Sequence, residues 1–344
     1  MTGYEPPGEF TRLRTIDAHT AGEPLRVIVD GWPKIEGETI LEKRRFARAH
    51  HDGLRRALML EPRGHADMYG CILTDPVTSD GDVGVLFLHN EGYSTMCGHG
   101  IIGLVTVGLE CGLLPDQEVI RIDTPAGRVT ARAERSGARV RAVSFENVPS
   151  FLAAPDVSVT VEGLGEVRVD LAYGGAFYAY VDATTVGVEI VPERYAQIVD
   201  VGMRIKRAVM DQVPIRHPDG DADLEFLYGT ILVDMDAGAG QSRNVCVFAD
   251  GEVDRCPTGT GVSGRAAIHH ARGELAVGEW ITIESLIETC FDVRVARVTA
   301  PGEFGGGEGQ TAIVPEVRGG AHLTGRHEFW IDPEDPLIHG VLLR

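Results

Sequence analysis

The sequence predicts an α+β fold built from two similar halves. Short β-type segments separated by Gly-rich turns dominate the 344-residue chain. Helical periodicity is confined to four stretches, and two of these share one glycine pattern in register. In chain order, the β-type segments are TIDAHTAGEPLRVIVDG, DVGVLFLH, EVIRID, GRVTARAERSGARVRAVSF, VSVTVEGLGEVRVDLAYGG, EFLYGTILVDM, NVCVFAD, ITIESLIETCFDVRVARVTA and TAIVPEVRGGAHLTG. The helical periods fall at about 38–60, 99–111, 194–211 and 261–272.

Aligning the two Gly-rich helices exposes the duplication. CGHGIIGLVTVGLECG starts at Cys97 and TGTGVSGRAAIHHARG at Thr258. Gly98, Gly100, Gly103 and Gly112 then fall on Gly259, Gly261, Gly264 and Gly273. The last glycine of each set stands where a C′ glycine would stop a helix of about three turns. In this register Thr258, not Cys256, is the counterpart of Cys97. Cys256 lies in the approach to the second helix and reads as a small buried thiol.

Composition narrows the function. A formal net charge of −19 and the lack of a basic run argue against nucleic acid. Lysine occurs only at 34, 43 and 206, each in a plain amphipathic or turn context, so a pyridoxal Schiff base is not expected. Cysteines at 71, 97, 111, 246, 256 and 290 form no CxxC pair, which suits a reducing cytoplasm. The sequence carries no recognisable leader and no apolar run of membrane-spanning length, so no membrane partner is expected.

Glycines at a helix start let backbone N–H groups face a ligand, and the helix dipole adds positive charge there. Two such ends make a double anion site. A carboxylate held between them loses part of its charge, which lowers the cost of forming a carbanion beside it. A thiol at the same place is stabilised as thiolate by the same field, and Cys97 is so placed. Asp254, four residues before the second helix start, reads either as a turn or capping aspartate or as a partner for a substrate ammonium.

Other readings of these residues compete. The glycines could simply allow close helix packing. Both copies also satisfy the dinucleotide pattern G-x-G-x-x-G, but NEGYSTMC separates strand VLFLH from Gly98 where that pattern needs a tight turn. A Cys97–His99 nucleophile pair is not expected, because neighbours on one turn rarely form one. No metal is expected either, because the His and Cys doublets lack ligand spacing.

The motifs IDAHTAGEPLRV, EPRGHADMYG, MCGHG and DRCPTGTG, in this order, resemble the proline racemase family across essentially the whole chain. The resemblance implies a diaminopimelate-epimerase-like fold. Each half is then a sheet wrapped round a helix, with the active site in the cleft between. The first half is expected at 1–155, completed by about 326–344, and the second at 156–325.

Racemases and epimerases of the family read D-R-S-P-C-G-T in the second motif, so their serine falls on Cys256 and their second catalytic cysteine on Thr258. The branch with Thr there is similar to the trans-3-hydroxy-L-proline dehydratases. This implies Cys97 as proton acceptor, Thr258 at the position of the second racemase cysteine, and Gly98, His99, Gly259 and Thr260 as holders of the substrate carboxylate. Asp254 would hold the ring nitrogen. It also implies no cofactor, a small imino acid as substrate, and cytoplasmic location. A homodimer is left open. Proline racemase or 4-hydroxyproline 2-epimerase activity, using Cys97 and Cys256, is the alternative; a dead imino-acid binder and a dehydrogenase are more distant ones.

Overall fold

The computed structural model describes residues 5–236, 242–300, 303 and 312–343. The first half runs β1 (Thr11–Thr20), β2 (Glu23–Asp30), α1 (Ile40–His50), α2 (Asp52–Met59), β3 (Tyr69–Thr74), β4 (Val83–His89), β5 (Tyr93–Ser94), α3 (Gly98–Glu110), β6 (Val119–Thr124), β7 (Gly127–Ser136) and β8 (Arg139–Glu146). The second runs β9 (Phe151–Val161), β10 (Gly165–Tyr173), β11 (Phe177–Asp182), α4 (Tyr195–Gln212), β12 (Leu227–Asp234), β13 (Ser242–Phe248), β14 (Glu252–Val253), α5 (Gly259–Ala271), β15 (Trp280–Glu284), β16 (Cys290–Val298) and β17 (Ile313–Gly319). The last strand, β18 (Ala321–Ile331), returns to pair with β1.

Strand pairing repeats element for element. In the first half β1 pairs antiparallel with β18 and β2, β2 parallel with β3, β3 antiparallel with β4, β4 parallel with β6, and β6, β7 and β8 follow antiparallel. In the second half β10 takes the place of β1, between β9 and β11. The ladder then continues with β12, β13, β15, β16 and β17 in the same senses. The two ladders join where β8 pairs antiparallel with β17, Val143–Glu146 against Glu316–Gly319. We propose to divide the chain along this ladder, which groups β9 with the second half and all of β18 with the first.

Each ladder curls round one helix. α3 is apolar on every side and is buried from Gly98 to Leu109, as expected of a helix inside a core rather than on its surface. α5 is buried from Gly259 to Ile268. α4, by contrast, buries Ile198, Val201, Ile205 and Val209, an i, i+3, i+7, i+11 stripe, and covers the outside of β12 and β13.

Several elements differ from the sequence-based expectation. The helical period at 38–60 is interrupted at His51 (φ −128°, ψ 11°), giving α1, capped by the Thr39–Glu42 capping box, and then α2. β3 and β11 are not among the expected strands. Both pair parallel with a neighbour and are largely buried, so their residues lack the polar–apolar alternation of a half-exposed strand. β3 opens YGCIL and β12 contains YGTIL, a second trace of the duplication.

Where the cores meet, the first glycines of α3 and α5 touch. A Cβ built on Gly98 would lie 2.5 Å from Gly259 Cα, and one on Gly259 would lie 2.6 Å from Gly98 Cα. Gly259→Ala should therefore force the helix starts apart and cost about 1–3 kcal/mol, as overpacking does. Gly92→Ala, with nothing within 4 Å of its Cβ, should be near neutral. Urea titration of both variants checks the contrast.

Candidate active site

A small cavity of about 20 Å³ lies between the starts of α3 and α5. Cys97, Gly98, His99, Asp254, Thr258, Gly259 and Thr260 all line it, together with Tyr69, Met96, Tyr178, Tyr228 and Phe248. The expected site residues are therefore brought together from both halves. That volume holds about one water, so the halves must part before anything larger enters.

Cys97 is the N-cap of α3 in extended geometry (φ −149°, ψ 112°), and its Sγ accepts the Gly100 N–H at 3.2 Å. Burial pushes the thiol well above its usual pKa, and the charges of Asp254 and Glu23 push the same way. Hydrogen bonds from Tyr69 and the Gly100 N–H pull against them. The thiol is therefore protonated in the closed, ligand-free site, and an incoming cation beside Asp254 would favour its ionisation.

Thr258 caps α5 from the opposite side, but with different local geometry. It stands at φ 65°, ψ 96°, a left-handed conformation that a β-branched residue seldom adopts, and its side chain makes no capping bond. Its Oγ1 is buried, with the Cys246 thiol as its neighbour. The approach to it is a chain of local bonds. Asp254 Oδ1 accepts the Cys256 N–H at 3.0 Å, and Cys256 Sγ accepts the Thr258 N–H at 3.3 Å. Cys256 is fully buried and does not line the cavity.

His99 lies over the Cys97 thiol. Its Nδ1 lies 3.2 Å from Cys97 Sγ, because the first turn of α3 folds the ring back over the thiol. Burial pushes the His99 pKa down to about 4, against the pull of Asp254 and the Pro24 carbonyl, so the ring is neutral near pH 7. It can thus accept or donate one hydrogen bond at the thiol without adding charge.

The aromatic hydroxyls form a separate set. Tyr69 OH meets Ser94 Oγ, which lies 2.8 Å from Tyr228 OH. Tyr178 OH is 2.6 Å from Thr260 Oγ1, so that threonine's side chain is occupied and its backbone N–H is the group left for a ligand. The sequence reading missed these tyrosines. Tyr69 and Tyr228 could have been found from the repeated YG[CT]IL strands, while Tyr178 and Phe248 carry no comparable signal.

Glu23, also missed, reaches across from the first half. It is fully buried, its Oε2 accepts the Arg255 N–H at 2.8 Å, and its Oε1 has no partner among the described residues. Burial, reinforced by Asp254, raises its pKa well above the carboxylate range. The Arg255 guanidinium sits 3.1 Å from Asp67. Buried acids thus crowd the Asp254 side of the cavity, opposite the two helix starts.

A sequence model of the proline racemase family matches residues 15–342. The chain belongs to that family. It is 46% identical over 339 residues to a trans-3-hydroxy-L-proline dehydratase of Colwellia psychrerythraea, covering 97% of this chain and 94% of the relative. A 3-hydroxyproline 2-epimerase of Burkholderia multivorans is 42% identical over 337 residues, covering 96% and 98%. Among solved structures, a hydroxyproline epimerase from Agrobacterium vitis with bound trans-4-hydroxy-L-proline superposes with a TM-score of 0.89 at 31% identity, covering 97% of this chain and 96% of that one. The fold is the diaminopimelate-epimerase-like one. Among the described residues no helix is long and apolar enough to cross a membrane.

The neutral His99 has a consequence for stability. Its folded pKa, about 4, lies below its unfolded value near 6.5. The stabilisation is therefore complete above pH 6.5 and is lost as pH falls towards 4, where the unfolded chain takes up a proton that the folded one refuses. The total is on the order of 3 kcal/mol. His99→Gln should flatten that part of the stability–pH curve relative to the parent protein, measured by urea unfolding at each pH.

Proposed function

We propose that the protein dehydrates trans-3-hydroxy-L-proline to a pyrroline-2-carboxylate without a cofactor. The observation that carries the reading is the unequal pair facing the cavity, a thiol on one helix start and a threonine hydroxyl on the other. Homologues named trans-3-hydroxy-L-proline dehydratase, 43–46% identical over most of the chain, support the same reaction.

The substrate carboxylate docks on the free N–H groups of Gly98, His99, Gly259 and Thr260, where two helix dipoles converge. The ring ammonium faces Asp254. This neutralises the carboxylate that raises the Cys97 pKa, so substrate binding itself helps to form the thiolate. Cys97 then takes the α-proton while the two helix ends hold the charge that flows into the carboxylate.

In trans-3-hydroxy-L-proline the hydroxyl is trans to the carboxylate, and so on the same face as the α-hydrogen. The thiol that received the proton is placed to hand it to the departing hydroxyl. The C–O bond breaks, water leaves, and Cα=Cβ forms. The resulting enamine tautomerises to the cyclic imine in solution. Thr258 on the far face need do nothing, since an alcohol is a poor base at neutral pH. The second reading, epimerisation, would need a base on that face; Cys256 is the available thiol, but its position outside the cavity lining weighs against it.

Incubation with trans-3-hydroxy-L-proline, trans-4-hydroxy-L-proline and L-proline in deuterated water, followed by NMR, separates water loss, inversion and exchange. Cys97→Ser should lower dehydration at least 100-fold, since a positioned acid–base group contributes about 10²–10⁴; retention of more than about a tenth of the rate would remove Cys97 as the base.

Thr258→Cys should place a second thiol at the positive end of α5 and bring detectable α-proton exchange or epimerisation of proline or 4-hydroxyproline. Cys256→Ser should leave dehydration nearly unchanged. If Cys256→Ser instead destroys turnover of every imino acid while Thr258→Val is tolerated, the two-base reading with Cys256 is the correct one.

A further inference from the structure

The proposed reaction gives Cys256 no part, yet its sulfur is not isolated. We infer that Cys256, with His99 and Asp254, forms a binding site for a thiophilic divalent cation such as Zn²⁺, and that the bound ion blocks the imino-acid pocket. The ligating atoms of these three side chains all lie within 4.8 Å of one another. All three residues are buried, at 4%, 5% and 0% exposure for His99, Asp254 and Cys256. They come from both halves, His99 from the first turn of α3 and the other two from the approach to α5.

The donor set is one nitrogen, one carboxylate oxygen and one sulfur, which suits Zn²⁺ or Cd²⁺ better than Mg²⁺ or Ca²⁺. Bonds of roughly 2.0–2.3 Å in a tetrahedron put ligand atoms roughly 3.3–3.8 Å apart, so any pair of the three needs to draw in by roughly 1.5 Å at most. A water completes the tetrahedron.

A second observation asks for positive charge at the same place. Glu23 is fully buried with Oε1 unpartnered among the described residues. Charge there is balanced from one direction only, by Arg255, which lies 3.9 Å from Glu23 and 3.1 Å from Asp67. A dication beside Asp254 relieves this excess as a ring ammonium would, so ion and substrate compete. The serine that racemases of the family carry at this position has no thiolate to offer a soft metal; the cysteine creates the site.

The test uses the whole protein, stripped with a chelator and titrated with Co²⁺ as a visible stand-in for Zn²⁺. Binding of one ion with a thiolate-to-cobalt charge-transfer absorption is expected, as is Zn²⁺ inhibition competitive with the imino acid. Cys256→Ser, whose hydroxyl can still accept the Thr258 N–H, should lose the absorption and raise the half-inhibiting Zn²⁺ concentration at least about tenfold. Cys97→Ser should keep the absorption.

An unchanged Cys256→Ser, or an absorption that disappears with Cys97 instead, overturns the inference. His99→Gln should also lose the cobalt signal, and its failure to do so counts equally against the site, whether or not Cys256→Ser folds. The cobalt readout needs no turnover, so it stands or falls separately from the dehydratase reading.

Discussion

Two helix N-termini meet with nothing but glycine between them. Gly98 and Gly259 approach so closely that neither tolerates a Cβ, and this contact fixes where both cores end and where the cavity begins. Helix ends of like polarity repel, so the arrangement would be costly in an empty apolar interior. It becomes useful when an anion sits between the ends and takes up the N–H groups that no helix can satisfy for itself. The duplication supplies this geometry at once, because related units joined through β8 and β17 bring equivalent helix starts face to face.

The opposite wall has the complementary electrostatics. Asp254, Glu23 and Asp67 are buried together, with Arg255 between the latter two. The helix starts therefore favour a carboxylate and the Asp254 side a cation. A zwitterion satisfies both walls, whereas a simple anion or cation satisfies one. Burial, with these acids, holds the Cys97 thiol well above its usual pKa, so a positive group arriving beside Asp254 would favour its ionisation.

Much of this was legible in the sequence, and the reasons are physical. α3 announces itself because a helix buried on all sides is largely apolar, and α5 because its glycines repeat those of α3 in register. The site residues at the helix starts follow from the same register. What the sequence concealed depends on long-range pairing. β3 and β11 are parallel, largely buried strands without alternation, and the break at His51 falls inside an unbroken helical period. Glu23 sits in a motif whose purpose is invisible until β2 is laid against the α5 approach, 232 residues away along the chain.

The halves are alike in topology and unlike at one point. Cys97 caps its helix through a side-chain bond in extended geometry; Thr258 adopts a strained left-handed backbone, and its side chain makes no capping bond. Strain of this kind costs about 1–3 kcal/mol and survives only where neighbours impose it. Here they do so through Asp254 and Cys256, whose side chains accept the Cys256 and Thr258 N–H groups in turn, and through Glu23, which accepts the Arg255 N–H from the other half. The far face of the cavity is thus held by backbone bonds that do not depend on what residue 258 carries. A symmetric two-thiol site could therefore become a one-thiol site by changing a single side chain, because the scaffold that aims it is built from its neighbours.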